Sequence, residues 1–255
     1  VFNGFGNLVL SMYNSFDPDL KITPVHGKTF DPEKASLSKI KTIKGVESVS
    51  VSLEENALLR YRDRQFIATI KGVDEDYFTT TGLQNKIIDG TSVLQNGAVD
   101  YMFVGGQIAY SLGLKTNDPL NRISVFVPLK GVDASTALMD PTTAFAQRSI
   151  IASGIFSVQQ DFDTKYVIVP LRFMREMMSD TISVSALEIK LEANANSNEI
   201  LNQVEQLAGK DFDVKDRYRQ HDFLYKILKS EKAGVYLILG FILLIATFNI
   251  FGTLT

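Results

Sequence analysis

The chain of 255 residues is 45% hydrophobic and carries 26 basic and 29 acidic side chains, which gives a net charge of −3. Charges this close to balance produce no field that would attract nucleic acid or anionic lipid, so no nucleic-acid partner is expected. Cysteine is absent, which excludes disulfides, thiolate catalysis and cysteine-ligated metals.

The first 16 residues predict the end of a first membrane helix followed by a juxtamembrane helix. They begin at Val1 without a methionine and are apolar and helix-like from Asn7 to Phe16. The far end of the chain also stops inside an apolar stretch. We therefore expect an excerpt of a larger membrane protein.

Residues 17–95 predict a β-α-β-β unit. Asp31 is a typical helix-capping residue with Pro32 at the first helical position, and Gly45 is a typical helix stop. The flanking segments alternate between apolar and polar residues, as half-buried strands do. The predicted elements are a strand at 19–25, a helix from Asp31 to about Ile43, and strands at 46–53 and 57–73 that turn at Glu54-Glu55-Asn56.

Residues 181–221 predict a second α/β unit, and the two halves predict one split α/β layer. Residues 96–180 lie between the halves and predict a mainly β insertion, because short runs of β-branched and aromatic residues recur there. The predicted fold class is therefore α+β. The second unit has a strand at 184–191, a helix at 196–208 and a strand at 212–214, and the insertion has strands at 101–104, 123–127, 149–156 and 166–169 and short helices at 107–112 and 171–178.

The segment from Pro128 to Arg148 joins two of the predicted strands through residues without a clear period. Loops of this length without structure are uncommon unless they are functional or disordered. Its apolar side chains lie in a segment that should be exposed, which indicates a surface for a partner. The alternative is a mobile loop or an extended hairpin. The candidate contact residues are Leu138, Met139, Pro141 and Phe145.

The last 23 residues, Ala233 to Thr255, carry no charge and predict a transmembrane helix. About 20 apolar residues suffice to cross a hydrocarbon core of about 30 Å. The alternative is a buried core helix of a soluble domain. Asp222 to Lys232 precedes this segment at helical spacing without glycine or proline, so we expect one stalk and membrane helix over residues 222–255.

One stripe of the predicted membrane helix contains small and polar residues. Ile242, Ala246, Asn249 and Thr253 recur at helical spacing. A polar asparagine beside small residues in lipid usually faces another helix or a cavity. We expect this face to pack against a partner helix or to line a path for cargo.

Groups that could carry chemistry lack the partners that catalysis needs. His26 and His221 are far apart and have no neighbouring ligand pattern, so no metal site is expected. Gly105-Gly106 lacks the spacing of a phosphate-binding loop and predicts a tight turn. Asp74-Glu75-Asp76 and Asp161-Phe162-Asp163 lack the glycine and distal glutamate of a calcium loop. No catalytic residue and no cofactor are therefore predicted.

Several short motifs resemble the LolC/LolE-type permeases of lipoprotein-releasing ABC transporters and, more widely, the MacB and FtsX group. They span most of the chain in a fixed order. They are Val1-Phe2-Asn3-Gly4-Phe5; Gly72-Val73-Asp74; Val104-Gly105-Gly106 continuing to Leu114; Phe162-Asp163 to Pro170; and Glu231-Lys232 followed by Ala246-Thr247-Phe248-Asn249-Ile250.

The resemblance implies a periplasmic domain between two membrane helices of a bacterial inner-membrane protein, with residues of about 17–225 in the periplasm. It implies a Porter-like layer at 17–95 and 181–221, a Sabre-like β-rich subdomain at 96–180, and a stalk and transmembrane helix at 222–255. The implied partners are a second permease subunit, a cytoplasmic ABC ATPase, a periplasmic carrier or adaptor, and lipoprotein cargo.

Three functions remain open at this point. The first is release of lipoproteins toward a periplasmic carrier, which the long Pro128 to Arg148 segment favours. The second is a MacB-like efflux permease that works with an adaptor and an outer-membrane channel. The third is an FtsX-like regulator of a cell-wall hydrolase. In none of them is the chain itself an enzyme.

Overall fold

The computed structural model describes residues 17–129, 144–220, 230 and 234–246. The chain is mixed α/β, with eleven strands in these residues joined in one hydrogen-bonded system. The strands are β1 (Leu20–Pro24), β2 (Val46–Tyr61), β3 (Arg64–Val73), β4 (Ile87–Gly90), β5 (Gln95–Asn96), β6 (Val99–Gly105), β7 (Ile123–Pro128), β8 (Phe145–Phe156), β9 (Tyr166–Pro170), β10 (Ala186–Leu191) and β11 (Phe212–Asp216).

The helices are short apart from two toward the end of the chain, at Ser197–Ala208 and at 234–246. They are α1 (Leu37–Ile40), α2 (Tyr77–Thr81), α3 (Gly106–Leu112), α4 (Gln160–Asp163), α5 (Leu171–Met178), α6 (Ser197–Ala208) and α7 (Arg217–Gln220), with 3-10 helices at Pro32–Ala35 and Leu83–Lys86. Residues 234–246 are also helical, and we call them α8.

Four antiparallel strands form an open sheet in the order β11-β1-β10-β2. Alternate residues of these strands point to one face and are buried there, as the sequence pattern requires. Helix α6 covers this face, and Asn196 caps it by accepting a hydrogen bond from the backbone N–H of Glu199. The shared core includes Leu20, Ile22, Val49, Val51, Leu187, Ile189, Ile200, Leu201 and Val204.

Six strands close into a barrel beside the open sheet. Strand β2 pairs with β3, β3 with β9, β9 with β6, β6 with β8, β8 with β7, and β7 with β2. The β3·β9 and β6·β8 pairs are parallel, and the others are antiparallel. Closure satisfies the strand edges that an open β insertion would expose.

Strand β2 belongs to both parts of the fold. On one side it pairs with β10 as far as Ser52 and then with β7 from Leu58 to Arg60. On the other side it pairs with β3 from Ser52 to Tyr61. The barrel therefore takes two strands from the segment before residue 96 and the others from the segment after it.

The predicted hairpin turn at Glu54-Glu55-Asn56 is wrong. Both glutamates lie within β2, and the turn is at Arg62 and Asp63, between the paired residues Tyr61 and Arg64. Acidic residues are tolerated inside this strand because they form ion pairs, and Arg62 adopts the left-handed conformation that a tight turn requires, with φ of 55°.

The predicted single helix from Asp31 to Ile43 is also wrong in its middle. Asp31 caps the first turn as expected, accepting a hydrogen bond from the backbone N–H of Glu33 at 3.0 Å. Ser36 then adopts a left-handed conformation with φ of 59° and donates its hydroxyl to the carbonyl of Leu207 in α6. This tertiary hydrogen bond breaks the helix into a 3-10 turn and α1.

The other strands and short helices predicted between residues 17 and 216 are confirmed within a few residues at their ends. The hairpin connection is shorter than the predicted segment from Pro128 to Arg148, because β7 extends to Pro128 and β8 begins at Phe145. The backbone N–H of Leu129 donates to Ala144 at 2.9 Å and continues the ladder. Residues 130–143 lie outside the described residues.

Within the described ranges, no helix is both long enough and apolar enough to cross a membrane. Helix α8 covers only part of the segment predicted to do so, since residues 233 and 247–255 lie outside those ranges, as do residues 1–16 and 221–229. The transmembrane helix and the domain limits remain predictions.

Replacing Gly154 by alanine should destabilise the barrel by about 3 kcal/mol, because the new methyl group has nowhere to go. A Cβ atom at Gly154 would lie 2.3 Å from the carbonyl oxygen of Thr91 and 2.8 Å from that of Asp89, both backbone atoms. A thermal melt of the purified protein measures the loss. Gly234→Ala is the control, since no atom of the described residues outside its own helix backbone lies within 4 Å of its Cβ position. Equal melting of the two variants would contradict the packing of β4 on β8.

Candidate functional site

Of the four predicted partner-contact residues, the structure describes one. Phe145 is the first residue of β8, lies opposite Pro128 of β7 and is 41% exposed. Leu138, Met139 and Pro141 lie outside the described residues. The structure thus fixes the base of the loop and leaves the rest of that prediction untested.

Phe145 belongs to a row of apolar side chains on the outer surface of the barrel. Ile67 of β3 lies opposite Leu58 of β2, and Leu58 lies opposite Phe126 of β7. Pro128, on the same face as Phe126, lies opposite Phe145. Ile67 is 74% exposed, whereas the alternate residues of β7 are buried in the barrel. We call Ile67, Leu58, Phe126, Pro128 and Phe145 the apolar row.

Polar contacts fix the barrel surface next to the apolar row. The guanidinium carbon of Arg60 lies 5.1 Å from the centroid of the Phe126 ring. Asp118 accepts hydrogen bonds from the side-chain amide of Asn121 at 2.8 Å and from the hydroxyl of Tyr61 at 3.3 Å. The hydrogen bond from Asn121 holds the pKa of Asp118 below its ordinary value. The strands that carry the apolar row are therefore held by side-chain contacts as well as by their backbone hydrogen bonds.

The predicted helix stripe is described in part. Ile242 and Ala246 lie one turn apart on α8, and both are exposed. Asn249 and Thr253 lie outside the described residues. The structure therefore does not test whether this stripe packs against another helix.

The structure describes most of the residues that were not assigned to a catalytic or metal site from the sequence. His26 is exposed, and His221 is outside the described residues. Gly105 does not lie in the predicted tight turn but ends β6 in an extended conformation directly before α3, where a Cβ atom would be 2.5 Å from the carbonyl oxygen of Asp163. Asp163 itself accepts hydrogen bonds from the hydroxyl of Ser157 and from the backbone N–H of Val158. Among the described residues, no three histidine or acidic side chains are grouped as a metal site would need.

A buried cluster of charges lies where the open sheet meets the barrel. Lys71 of β3 is 5% exposed, and its Nζ lies 2.5 Å from Oε1 of Glu188 in β10 and 3.2 Å from Oε1 of Glu54 in β2. Ser52 donates its hydroxyl to the same oxygen of Glu188 at 2.9 Å. Lys21 of β1 lies 3.8 Å from Glu54. We call these five residues the Lys71 cluster.

Neighbouring charges keep Lys71 and Glu54 of this cluster ionised, and two aromatic rings lie against the ammonium group. The ammonium nitrogen of Lys71 lies 5.0 Å from the ring centroid of Tyr77 in α2 and 5.9 Å from that of Tyr166 in β9. Burial alone would lower the pKa of Lys71, but Glu188 and neighbouring groups raise it well above the ordinary value. Burial would likewise raise the pKa of Glu54, but the charges of Lys71 and the β1 lysine lower it to about 2.

A cleft of about 620 Å³ opens where the parallel strands β3 and β9 end. Asp74 lies on its rim, and its Oδ2 accepts a hydrogen bond from the backbone N–H of Val51 at 3.0 Å. The other oxygen, Oδ1, is buried without a hydrogen-bond partner in the described part of the chain. Burial raises the pKa of Asp74 to about 6, and the nearby carboxylate of Asp76 acts in the same direction. The apolar walls include Val73, Phe78, Leu94 and Leu171.

Sequence reasoning missed the Lys71 cluster, because its members come from β1, β2, β3 and β10. One local signal was present. Lys71 is a lone charge inside a run of small and apolar residues that includes Ile70 and Val73, and a strand buried on both faces cannot hold a lysine without a partner. That signal predicts a buried acid, although it does not say which one.

Two solved structures are similar to this chain in fold. The periplasmic region of MacB from Actinobacillus actinomycetemcomitans matches with a TM-score of 0.56 and 14% identity, over 85% of this chain and 95% of that one. The extracellular domain of the noncanonic ABC-type transporter YknZ from Gram-positive bacteria matches with a TM-score of 0.54 and 15% identity, over 77% and 99%.

The chain has the fold of these transporter domains. Identities of 14% and 15% establish the fold and no more. No family model and no curated protein sequence matches the chain. The MacB-like group and the narrower LolC/LolE assignment expected from the sequence both stay proposals.

Replacing Asp74 by asparagine should make the protein more stable at neutral pH. The folded state holds the proton of Asp74 up to about pH 6 instead of the ordinary 3.8, so its contribution to stability is complete below pH 3.8 and is lost as the pH rises through 6. Asparagine can still accept the hydrogen bond from Val51. The gain should grow from near zero at pH 3.8 to as much as ~3 kcal/mol above pH 6.

Melting temperatures between pH 3.5 and about 7.5 measure this difference. The control is Glu75→Gln, which removes a charge from the same turn and leaves the Val51 hydrogen bond in place. A gain that does not change with pH, or one that Glu75→Gln reproduces, would show that Asp74 is not the group responsible.

Proposed function

We propose that the chain is the periplasmic domain of a lipoprotein-releasing ABC transporter permease. It would couple ATP hydrolysis in a cytoplasmic subunit to release of lipoproteins from the inner membrane toward a periplasmic carrier. The transporter fold and the ordered LolC/LolE-like motifs support this proposal. In this proposal the chain binds its partners and transmits the conformational change, and a separate subunit hydrolyses ATP.

The observation that carries the lipoprotein-releasing branch is the β7–β8 hairpin. Its two strands pair from Ile123 to Phe145, and the long connection leaves them at one end. The apolar row continues from the base of this connection across the barrel. A loop with Leu138 and Met139 together with such a row would present one continuous apolar surface to a carrier.

The apolar surface of α8 supports a membrane location for the end of the chain. Its large side chains are exposed on every side of the helix, including Leu237, Leu239 and Phe241. An apolar surface all around a helix needs lipid or other helices to cover it. We propose that residues 222–255 form a stalk and transmembrane helix, that residues of about 17–225 lie in the periplasm, and that a second permease subunit packs against the Ile242 and Ala246 stripe.

A MacB-like efflux permease is the second candidate, and the match to the periplasmic region of MacB favours it. The genes beside the coding gene separate the two. An adaptor and an outer-membrane channel would favour efflux, whereas a soluble carrier would favour lipoprotein release.

The direct test is reconstitution of the full-length permease with its ATPase in proteoliposomes that contain a lipid-anchored protein. The proposal expects ATP-dependent transfer of that protein to a soluble carrier, measured in the supernatant. Release that is independent of ATP, or co-purification with a cell-wall hydrolase while lipoprotein sorting stays intact, would contradict it.

Ile67→Ser should weaken capture of the carrier about tenfold, because it removes an apolar anchor from the row. The fold should be unaffected, since the side chain is 74% exposed. Leu120→Ser is the matched control, a leucine that is 91% exposed and lies outside the row. Pull-down affinity and thermal melting are measured together. If both variants bind as the parent does, the row is not the contact surface.

Ala246→Leu should impair assembly of the transporter or transport, because three extra heavy atoms would crowd a close helix contact. Leu243→Ala, on another face of α8, should have little effect. Size-exclusion chromatography of the full-length protein with its partner subunits reports assembly, and the release assay reports function. Equal and mild effects of both changes would argue against this assignment of faces.

A further inference from the structure

The open sheet and the barrel are joined through a stretch of β2 that has no strand partner on one side among the described residues. Strand β10 pairs with β2 as far as Ser52, and β7 pairs with it from Leu58. Between these points side chains fill the edge, since Ser185 accepts a hydrogen bond from the backbone N–H of Glu54 at 2.9 Å and Glu55 accepts one from that of Asn56 at 3.1 Å. A two-stranded ribbon held this lightly on one edge bends easily.

The Lys71 cluster lies on this unpaired stretch. Glu54 is in its middle, and Lys71 is the residue directly opposite Glu54 on β3. Glu188 reaches the ammonium group from β10 in the open sheet, and the ring of Tyr166 reaches it from β9 in the barrel. One buried cation therefore contacts side chains from both parts of the fold.

A buried ion pair is directional and contributes little net stability. Two buried charges lose their hydration, so their attraction roughly offsets that loss, while removal of one partner leaves the other charge buried and uncompensated. Lys71 is 5% exposed and Glu188 is 1% exposed, so neither can exchange its partner for water. Bending the ribbon would separate Lys71 from Glu188 and would leave the carboxylate of Glu188 buried without its cation.

We infer that the Lys71 cluster fixes the orientation of the barrel on the open sheet. Without it, the hairpin of β2 and β3 would bend more readily between Ser52 and Leu58, and the barrel would take up a wider range of orientations than the shared core alone permits. Lys71 and Glu188 are the positioning residues, and Lys21, at the edge of the cluster, contributes little. The inference does not depend on what the protein transports.

The test measures a distance across the joint in the full chain in lipid nanodiscs. The chain contains no cysteine, so Lys39→Cys in α1 and Asp63→Cys in the β2–β3 turn introduce the two sites for spin labels. Both positions are exposed. Pulsed electron-electron double resonance then gives the distribution of distances between the open sheet and the barrel.

Three variants are compared with the labelled parent. Lys71→Met together with Glu188→Gln removes both charges of the closest pair, leaves Glu54 facing Lys21 and keeps an acceptor for Ser52, so the protein should remain folded while the distance distribution becomes at least about twice as broad. Glu188→Gln alone leaves Lys71 paired with Glu54 and should broaden it less. Lys21→Met is the control and should match the parent, since Lys21 lies 3.8 Å from Glu54 and is partly exposed.

Lys71→Met alone should lower the melting temperature by more than about 5 °C, because it strands the carboxylate of Glu188. The double variant should regain most of that loss and still show the broad distribution. A distribution as narrow as that of the parent in both the double variant and Glu188→Gln would overturn the inference. Equal broadening by Lys21→Met would also overturn it, because an exposed charge would then matter as much as the buried pair.

Discussion

Strand β2 has to fit two environments along its 16 residues, and most of the structure follows from how it does so. Its odd-numbered residues point to one side from Val49 to Tyr61, and nearly all of them are buried. The open sheet and the barrel therefore share one continuous core instead of having one each. A single core makes the two parts fold as one unit.

The opposite face of β2 explains why the fold contains buried charges at all. Where the open sheet passes into the barrel, α2 covers that face, so Ser50 and Ser52 are buried there as well. Glu54 continues the same face and meets Lys71. A sheet covered on both sides usually carries apolar residues, and the exceptions here are those that pair with one another.

The local parts of the fold were predictable from the sequence, and the non-local parts were not. Local sequence patterns identified β1, β10, β11 and α6 within a few residues, because those signals lie within each element. The parallel β3·β9 and β6·β8 pairs and the closure of the barrel depend on contacts between distant segments. Alternation does not specify which strand is the neighbour.

The two wrong elements fail for the same reason. Glu54-Glu55-Asn56 has the composition of a turn, and residues 31–43 have the composition of one helix. The first segment continues as a strand because Glu54 pairs with Lys71. The second is interrupted because Ser36 donates a hydrogen bond to the carbonyl of Leu207. In each case a partner remote in sequence outweighs a local preference of about 1 kcal/mol or less per residue.

The candidate contact surface was predictable only at its edge. Phe145 was visible as an apolar residue beside an aperiodic segment, but Ile67 looked like an ordinary strand residue. It is exposed because the register puts it on the outside of a closed barrel. The inward residues determine the fold shared with the MacB and YknZ domains, while a partner would meet the outward ones. Similarity of fold therefore carries little information about partners.

The pairing of β1 with β11 has a practical consequence. Leu20 lies opposite Asp216, so the chain enters and leaves the domain on adjacent strands, about 5 Å apart. Segments with neighbouring ends can be transplanted into a surface loop of an unrelated host protein without stretching it. Residues 17–220 could be displayed in this way on a water-soluble scaffold, which would make their surface accessible to solution methods.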